Sequence, residues 1–493
     1  MNTTDARATL EPAPPLTRST RLWYASGQLA EGIKNESFAT FLLFYYNQVL
    51  GLSGSLAGLA ILIALVFDAL TDPLVGVISD RTRSRYGRRH PYLFAAAVPL
   101  GITFIAVFTP PGDLGQTGLF VWLLVFTVLC RGSMTLFHVP HLSLGAELSD
   151  DYEERTLLVT LRQVFSRIAG IFPGFAFLVL MRPSEAYADG RFNPAAYPVY
   201  AWICGLSMVV VVLTSAWKTR HRVPYLRAPT PPPHGVLRSI VTDSWQALHL
   251  RSFRALFLGS AFTFTAWGVA VTLGLHSGTY FWAASTDEMV IWGVGTAIGV
   301  FAGLGYWTRR ATATDKKPVF MTGMYGYTAF VVVPYLLAVA GFWPARGSGS
   351  SIALWVIFNG TIAHFYLASA MVTGQSMMAD VADEDALRCG RRREGVFFGA
   401  SSFVTKLVFG LGAQIAGIIV DLVGLVPGTD PADVTDRVVR NLGLASAGAL
   451  GLLVTISLLF FARYDLDRGR AAAIQAALRE RDRAATRTPP GPG

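Results

Sequence analysis

Asp68, Thr71 and Asp72 lie three and four residues apart inside the apolar run 54–79. On a helix that spacing puts two carboxylates and a hydroxyl on one face. Oxygens so grouped suit a hard cation such as Na+. Two carboxylates this close in a poorly hydrated setting cannot both stay charged unaided, so the pair binds a cation or takes up a proton. A structural ion pair with a nearby Arg or Lys is the plainer alternative. A second set lies in the run 118–145. Arg131, Thr135 and His138 fall at i, i+4 and i+7, one helical stripe. Thr135 can complete the cation shell, and Arg131 can balance the acids. His138 can meet a substrate, accept a proton or simply pack.

Acid or base inside a membrane-length segment is costly and points to function. Arg162 and Lys406 are such residues, as are Lys34, Glu36 and Arg167. Lys34 and Glu36 stand near the start of their run and are expected to snorkel. Lys406 lies about three turns into its run, too deep for that. His276, Asn359, His364 and several Trp and Tyr also fall in apolar runs. They suit a sugar, although Trp and Tyr near helix ends more often form an interfacial belt.

The elements that must hold these residues follow from composition. Of 493 residues, 52% are hydrophobic and 15% charged. Soluble domains carry about 25% charged residues, so the deficit indicates a membrane protein. The net charge of +9 sits in short loops and sets orientation, which argues against nucleic acid as partner. Three cysteines offer no disulfide framework or metal spacing. No phosphate-binding glycine loop, nucleophile–base pair or soluble catalytic domain is seen, so neither an enzyme nor a nucleotide-driven pump is expected.

Twelve apolar runs are long enough to span a bilayer: 24–49, 54–79, 92–110, 118–145, 157–181, 199–217, 254–282, 289–307, 319–341, 352–379, 396–424 and 441–463. Basic connections alternate with nearly uncharged ones, which puts both termini in the cytoplasm of a multi-pass inner-membrane protein. The expected organisation is a tail over 1–23, a six-helix bundle over 24–217 and a linker over 218–253. A second bundle over 254–463 and a tail over 464–493 complete it. Segment 235–251 is amphipathic and suits the membrane face. The tail from Arg463 is expected to hold a short surface helix.

The halves read as distant repeats. In each, acid and then base follow the fourth run: GAELSDDYEER at 145–155, MADVADEDALRCGRRRE at 378–394. Two such halves fit a transporter with its substrate site between them near the midplane. Asp80, Arg88 and Arg89 are expected to latch onto Glu147, Asp150 or Asp151. Asp380, Asp383 and Glu384 are expected to latch onto Arg391, Arg392 and Arg393. As exposed pairs, each would contribute roughly 0–1 kcal/mol.

The stretch DALTDPLVGVISDRTRSRYGRRHPY resembles the signature of the glycoside–pentoside–hexuronide:cation symporters, the melibiose-permease branch of the major facilitator superfamily. FLLFYYNQVLGLSG, VPHLSLGAELSDDYEERTLL and MMADVADEDALRCGRRREGVFFGASSFVTK extend the likeness along the chain. The resemblance implies an all-α membrane protein with twelve transmembrane helices in two pseudo-symmetric bundles, working by alternating access. It implies Asp68 and Asp72 as coupling-cation carboxylates for Na+ or H+, with Thr71 and Thr135 as neighbouring ligands and no other cofactor. It implies Arg162 as a sugar-contacting arginine and Lys406 as a lysine near the cation site. With His138 and Arg131, these form the expected substrate side.

The sugar side departs from the pattern. His138 stands where melibiose permeases carry a sugar-binding aspartate, and Leu65 where they carry an arginine. Their sugar-contacting aspartate in the first helix has no clear equivalent near Gly32 to Lys34. Vertebrate lysophospholipid importers resemble the same family, so a lysophospholipid-like amphiphile is the alternative to a sugar or glycoside.

Overall fold

The computed structural model describes residues 14–149, 151–226, 249–389 and 394–487. It divides into two compact units, 1–234 and 235–493. All described secondary structure is helical.

In the first unit α1 runs over 18–49, α2 is Gly54–Arg81, α3 His90–Val107 and α4 Gln116–Leu148. Then α5 runs over 152–180, and α6 is Ala196–Thr219. The second unit holds α7 Arg251–Phe281, α8 Thr286–Ala313, α9 Lys316–Val339 and α10 Gly349–Cys389. It continues with α11 Glu394–Leu422, α12 Asp436–Phe461 and α13 Arg468–Arg487. Eleven of the described helices are long and apolar enough to cross a membrane. The remaining run of the twelve is α1, which carries Glu31, Lys34, Asn35 and Glu36.

The repeat suggested by sequence is present in the packing. In the first unit α2 lies on α4, α3 on α4 and α6, and α1 on α5 and α6. In the second, α8 lies on α10, α9 on α10 and α12, and α7 on α11 and α12. Glycines permit the closest of these approaches. A Cβ on Gly268 of α7 would stand 2.5 Å from the Phe409 carbonyl, and one on Gly412 of α11 2.3 Å from the Thr265 carbonyl.

Several helices outrun their apolar stretches. The first begins at Arg18 rather than 24, and the tenth ends at Cys389 rather than 379. Hydropathy marks where the bilayer ends, while backbone hydrogen bonding continues through polar residues. Lys34 therefore stands sixteen residues into α1, about 24 Å along its axis, and is 4% exposed. The snorkelling expected of it does not occur. α1 is interrupted at Gly27, where a Cβ would come within 2.8 Å of both His141 Nε2 and Ser215 Oγ. His141 Nε2 donates to the Tyr24 carbonyl at 2.9 Å across this break.

The expected tail helix is α13, and it is not solvated all round. Ile474 and Leu478 are buried, and the helix packs on α10. The amphipathic segment 235–251 lies, up to 248, outside the described residues, as do Asp150, Arg391, Arg392 and Arg393.

Candidate functional site

In α2 helical periodicity aligns Asp68 and Asp72, and Pro73 follows them. A proline has no N–H, so the Ala69 carbonyl one turn back has no helical donor at that position. Thr135 of α4 meets the pair. Its Oγ1 lies 2.9 Å from Asp68 Oδ1 and 3.0 Å from Asp72 Oδ1. A threonine hydroxyl carries one hydrogen, so it donates to one carboxylate at a time. The other oxygen–oxygen contact needs a proton or a cation to become attractive.

One turn up the same helix, Arg131 Nη1 approaches Asp68 Oδ2 at 3.4 Å, with both side chains buried. Its guanidinium also lies over the Phe38 ring, 5.7 Å from the centroid. The geometry moves Arg131 away from the substrate side and onto the acids. Lys34 joins this group, with Asp68, Glu31 and Arg131 as its charged neighbours. Thr71 does not contact the carboxylate oxygens in the same way. Its hydroxyl donates back to the Phe67 carbonyl at 3.0 Å and the Asp68 carbonyl at 3.3 Å.

His138 sits two turns along α4 from Arg131. Its charged neighbours are Glu31, Lys34, Asp72 and Arg162, and its Nδ1 is buried without a hydrogen-bond partner. Glu31 is braced by Gln28 Nε2 at 2.9 Å and by the Asn35 amide. Arg162 of α5 donates from Nη1 to the Tyr24 hydroxyl at 3.3 Å, while its Nε is buried and unpartnered. Tyr24 in turn donates to the His141 carbonyl at 3.2 Å and stacks on the His141 ring. Lys406 lies half-buried in α11 of the second unit, twelve residues from that helix's start.

Glu31 and Tyr24 stand in the site although neither is among the residues expected from the sequence, and Lys34 lies deep in α1 instead of near its end. The spacing Gln28, Glu31, Asn35 is a helical stripe of polar residues and was a usable signal. Tyr24 gave none, because its role depends on two helices far along the chain.

At the basic-loop end of the first unit, Glu147 receives Arg88 Nη2 at 2.9 Å and Arg89 Nη2 at 3.0 Å. Arg89 also reaches Asp80 and donates to Ser79 Oγ at 2.7 Å. The side chains of Glu147, Arg88 and Arg89 are 8, 10 and 5% exposed. The expected exposed latch is therefore a buried network within one bundle, because Glu147 lies in the last turn of α4. Asp151 instead caps α5, accepting from the Glu154 N–H at 2.8 Å. In the second unit Asp380 pairs with Lys316 at 2.6 Å, and Glu384 with Arg470 of α13 at 2.6 Å. Those partners differ from the expected arginines 391–393, which lie outside the described residues.

Two helical units of one internal plan, with ionisable residues set deep in apolar helices, define the class: a polytopic membrane transporter rather than an enzyme. Residues 23–468 match the family described as MFS/sugar transport protein. The chain belongs to that family. Similar relatives include the inner membrane symporter YicJ of Escherichia coli (strain K12), 24% identical over 80% of this chain and 81% of that one. The isoprimeverose transporter of Lactiplantibacillus pentosus is 24% identical over 83% of this chain and 81% of its own. Among solved structures, the xylose transporter XylE from E. coli superposes with a TM-score of 0.62 at 13% identity, over 93% of this chain and 99% of that one. That likeness speaks for the fold alone.

Proposed function

We propose that this protein is a secondary active transporter that couples uptake of a sugar or glycoside to a cation, by alternating access. The family and the symporters and sugar transporters among its relatives support the class of reaction. The observation that carries the coupling role is the single Thr135 hydroxyl between two carboxylates. Asp68 already has Arg131 and Lys34 beside it. Asp72, one turn along α2 and on the same Thr135 hydroxyl, is the carboxylate assigned to the coupling ion, Na+ or H+. Thr135 and Asp68 complete that ion's surroundings. His138, Glu31 and Arg162 supply the acceptors and donors on the substrate side.

An inner-membrane location with both termini in the cytoplasm follows from the basic connections. The networks around Glu147 and Asp380 would then lie on the cytoplasmic side and rearrange as the halves exchange access. A sugar takes precedence over a lysophospholipid-like amphiphile, since a relative of similar length bears a sugar's name.

The test is uptake into proteoliposomes with the Na+ gradient and pH varied independently. The panel holds isoprimeverose, other glycosides and a lysophospholipid. Accumulation of a glycoside under one of the two gradients is expected. Absence of accumulation under both sinks the symport reading, and uptake of the lysolipid alone selects the alternative. Asp72→Asn is expected to abolish uphill accumulation while leaving membrane insertion intact. A mutant that concentrates solute like the wild type removes the α2 site from the mechanism.

A further inference from the structure

The repeated plan leaves one pair of helices closed in the first unit and open in the second. α3 and α6 take the places that α9 and α12 take in the other half. A Cβ on Gly101 of α3 would stand 2.4 Å from Val209 Cγ2 and 3.0 Å from the Gly205 carbonyl, so α3 and α6 touch through their glycines. Their basic-loop ends are sealed by buried His90, whose Nε2 lies 3.1 Å from Thr219 Oγ1. In the second unit a Cβ on Gly451 of α12 would come no nearer than 3.8 Å to α9, at Val332 Cγ2. A groove of about 370 Å³ lies between these two helices. It is lined by Thr328, Ala329 and Val332 of α9, by Thr455 and Leu459 of α12 and by Ala462 at the end of α12. Leu459 is 61% exposed, so the groove opens on the apolar surface of the unit.

The mouth of this groove is basic. Lys317 holds the repeat position of His90, each directly before a proline near the start of its helix. Its Nζ donates to the carbonyls of Ala462 at 2.7 Å and Tyr464 at 2.8 Å. An ammonium has three hydrogens, so one remains for a further acceptor. Arg463 is exposed, with its guanidinium over the Phe460 ring, 5.9 Å from the centroid. Among the described residues neither cation is in an ion pair. The acids nearby in the chain are used by other groups. Asp465 pairs with Arg470 at 3.1 Å, while Asp315 and Asp467 accept the backbone N–H groups of Arg468 and Arg470 at the start of α13. Two cations without an anion thus stand where an apolar groove ends.

We propose that this groove binds one anionic phospholipid, with an acyl chain between α9 and α12 and the phosphate on Lys317 and Arg463. From Ala462 to the level of Gly451 is eleven residues, about 16 Å along the helix. That is the depth of one leaflet, half of a hydrocarbon layer about 30 Å thick. Basic pockets between spanning helices on the cytoplasmic side are where anionic lipid head groups bind. On the orientation proposed above, the mouth lies in that leaflet. The apolar slot takes a hydrocarbon chain, which a free phosphate lacks. Lys317 and Arg463 suit the negative charge of a phosphodiester, and the neighbouring acids, already engaged by α13, offer little to the ammonium of a zwitterionic head group. The site is independent of the solute and of its coupling ion.

Native mass spectrometry of the full-length protein tests this without requiring transport. Delipidated protein in detergent is titrated with phosphatidylglycerol, phosphatidylethanolamine and phosphatidylcholine of identical chains, with cardiolipin, and with free glycerol 3-phosphate. One phosphatidylglycerol is expected to bind about tenfold or more tighter than either zwitterionic lipid. Arg463→Gln is expected to lower that ratio, and its combination with Lys317→Gln to bring the ratio near one. Ala329→Phe fills the groove and is expected to abolish retention of the lipid. Val210→Phe, on an exposed face of α6, is expected to leave it unchanged. Equal binding of the three lipids, or preference for a zwitterionic one, overturns the proposal. A preference that survives the double substitution overturns the role of Lys317 and Arg463, and one that survives Ala329→Phe overturns the groove. Equally tight binding of glycerol 3-phosphate overturns the acyl chain, and binding of cardiolipin alone overturns the single phosphate. A dimer that Ala329→Phe dissolves means that a second copy of the chain covers the groove instead. The wild-type comparison stands even if the variants misfold.

Discussion

The two units build the same clasp at the same topological place with different chemistry. In the first, arginines from the connection between α2 and α3 hold Glu147 at the end of α4. In the second, Lys316 from the connection between α8 and α9 holds Asp380 near the end of α10. The arginine version is dry and multiply bonded, with both Arg88 and Arg89 on one carboxylate. Among the described residues the lysine version is a single pair, and Lys316 is 33% exposed. A second contact in that half comes from outside the bundle, where Arg470 of α13 reaches Glu384. A repeated fold thus fixes where a clasp can form, while the residue placed there decides how strongly it holds. The first unit also carries nearly all the depth charge, and among the described spans of the second only Lys406 sits comparably deep. Charge chemistry and the stiffer clasp are concentrated in the same half.

Three substitutions separate the clasps. Glu147→Gln leaves two buried arginines short of a counter-charge. Removing one partner from a buried pair costs about 3–5 kcal/mol. Thermal unfolding in detergent should show this as the largest loss of the three, and a shift no greater than that of Asp380→Asn would erase the distinction. Asp380→Asn releases a lysine that water already reaches. The expected cost is about 1–2 kcal/mol, between the buried and the exposed case. Arg470→Ala removes a partner that is 46% exposed, and should cost roughly 1 kcal/mol or less. A large loss from Arg470→Ala would instead mean that α13 is an integral part of the second bundle. Limited proteolysis of that variant reads the same question by whether α13 is released.

The legible part of this protein was the local part. Apolar length announced the spanning helices, and three- and four-residue spacing put Asp68 and Asp72 on one face. Thr135 was also readable, because α4 repeats that spacing. Less legible were features that needed a helix to pass its apolar limit. Lys34 looked like an end residue because hydropathy placed the start of α1 six residues late. Asp380 and Glu384 looked like loop acids because hydropathy ended α10 ten residues early. Helix hydrogen bonding does not stop where the bilayer does, so burial and pairing were misjudged at both places.

The membrane class, the two-fold repeat and the acidic pair can be read from the chain alone, since each depends on periodicity within one helix or on totals over the chain. Helix packing settled partnership. It gave Asp68 to Arg131, Glu147 to Arg88 and Arg89, and Glu384 to a helix from the tail. It also left Arg162 facing a tyrosine. The physical reason is that a direct ion pair needs its atoms within about 4 Å of each other. Which side chains come that close depends on how separate helices pack, a relation that spacing along one helix does not contain.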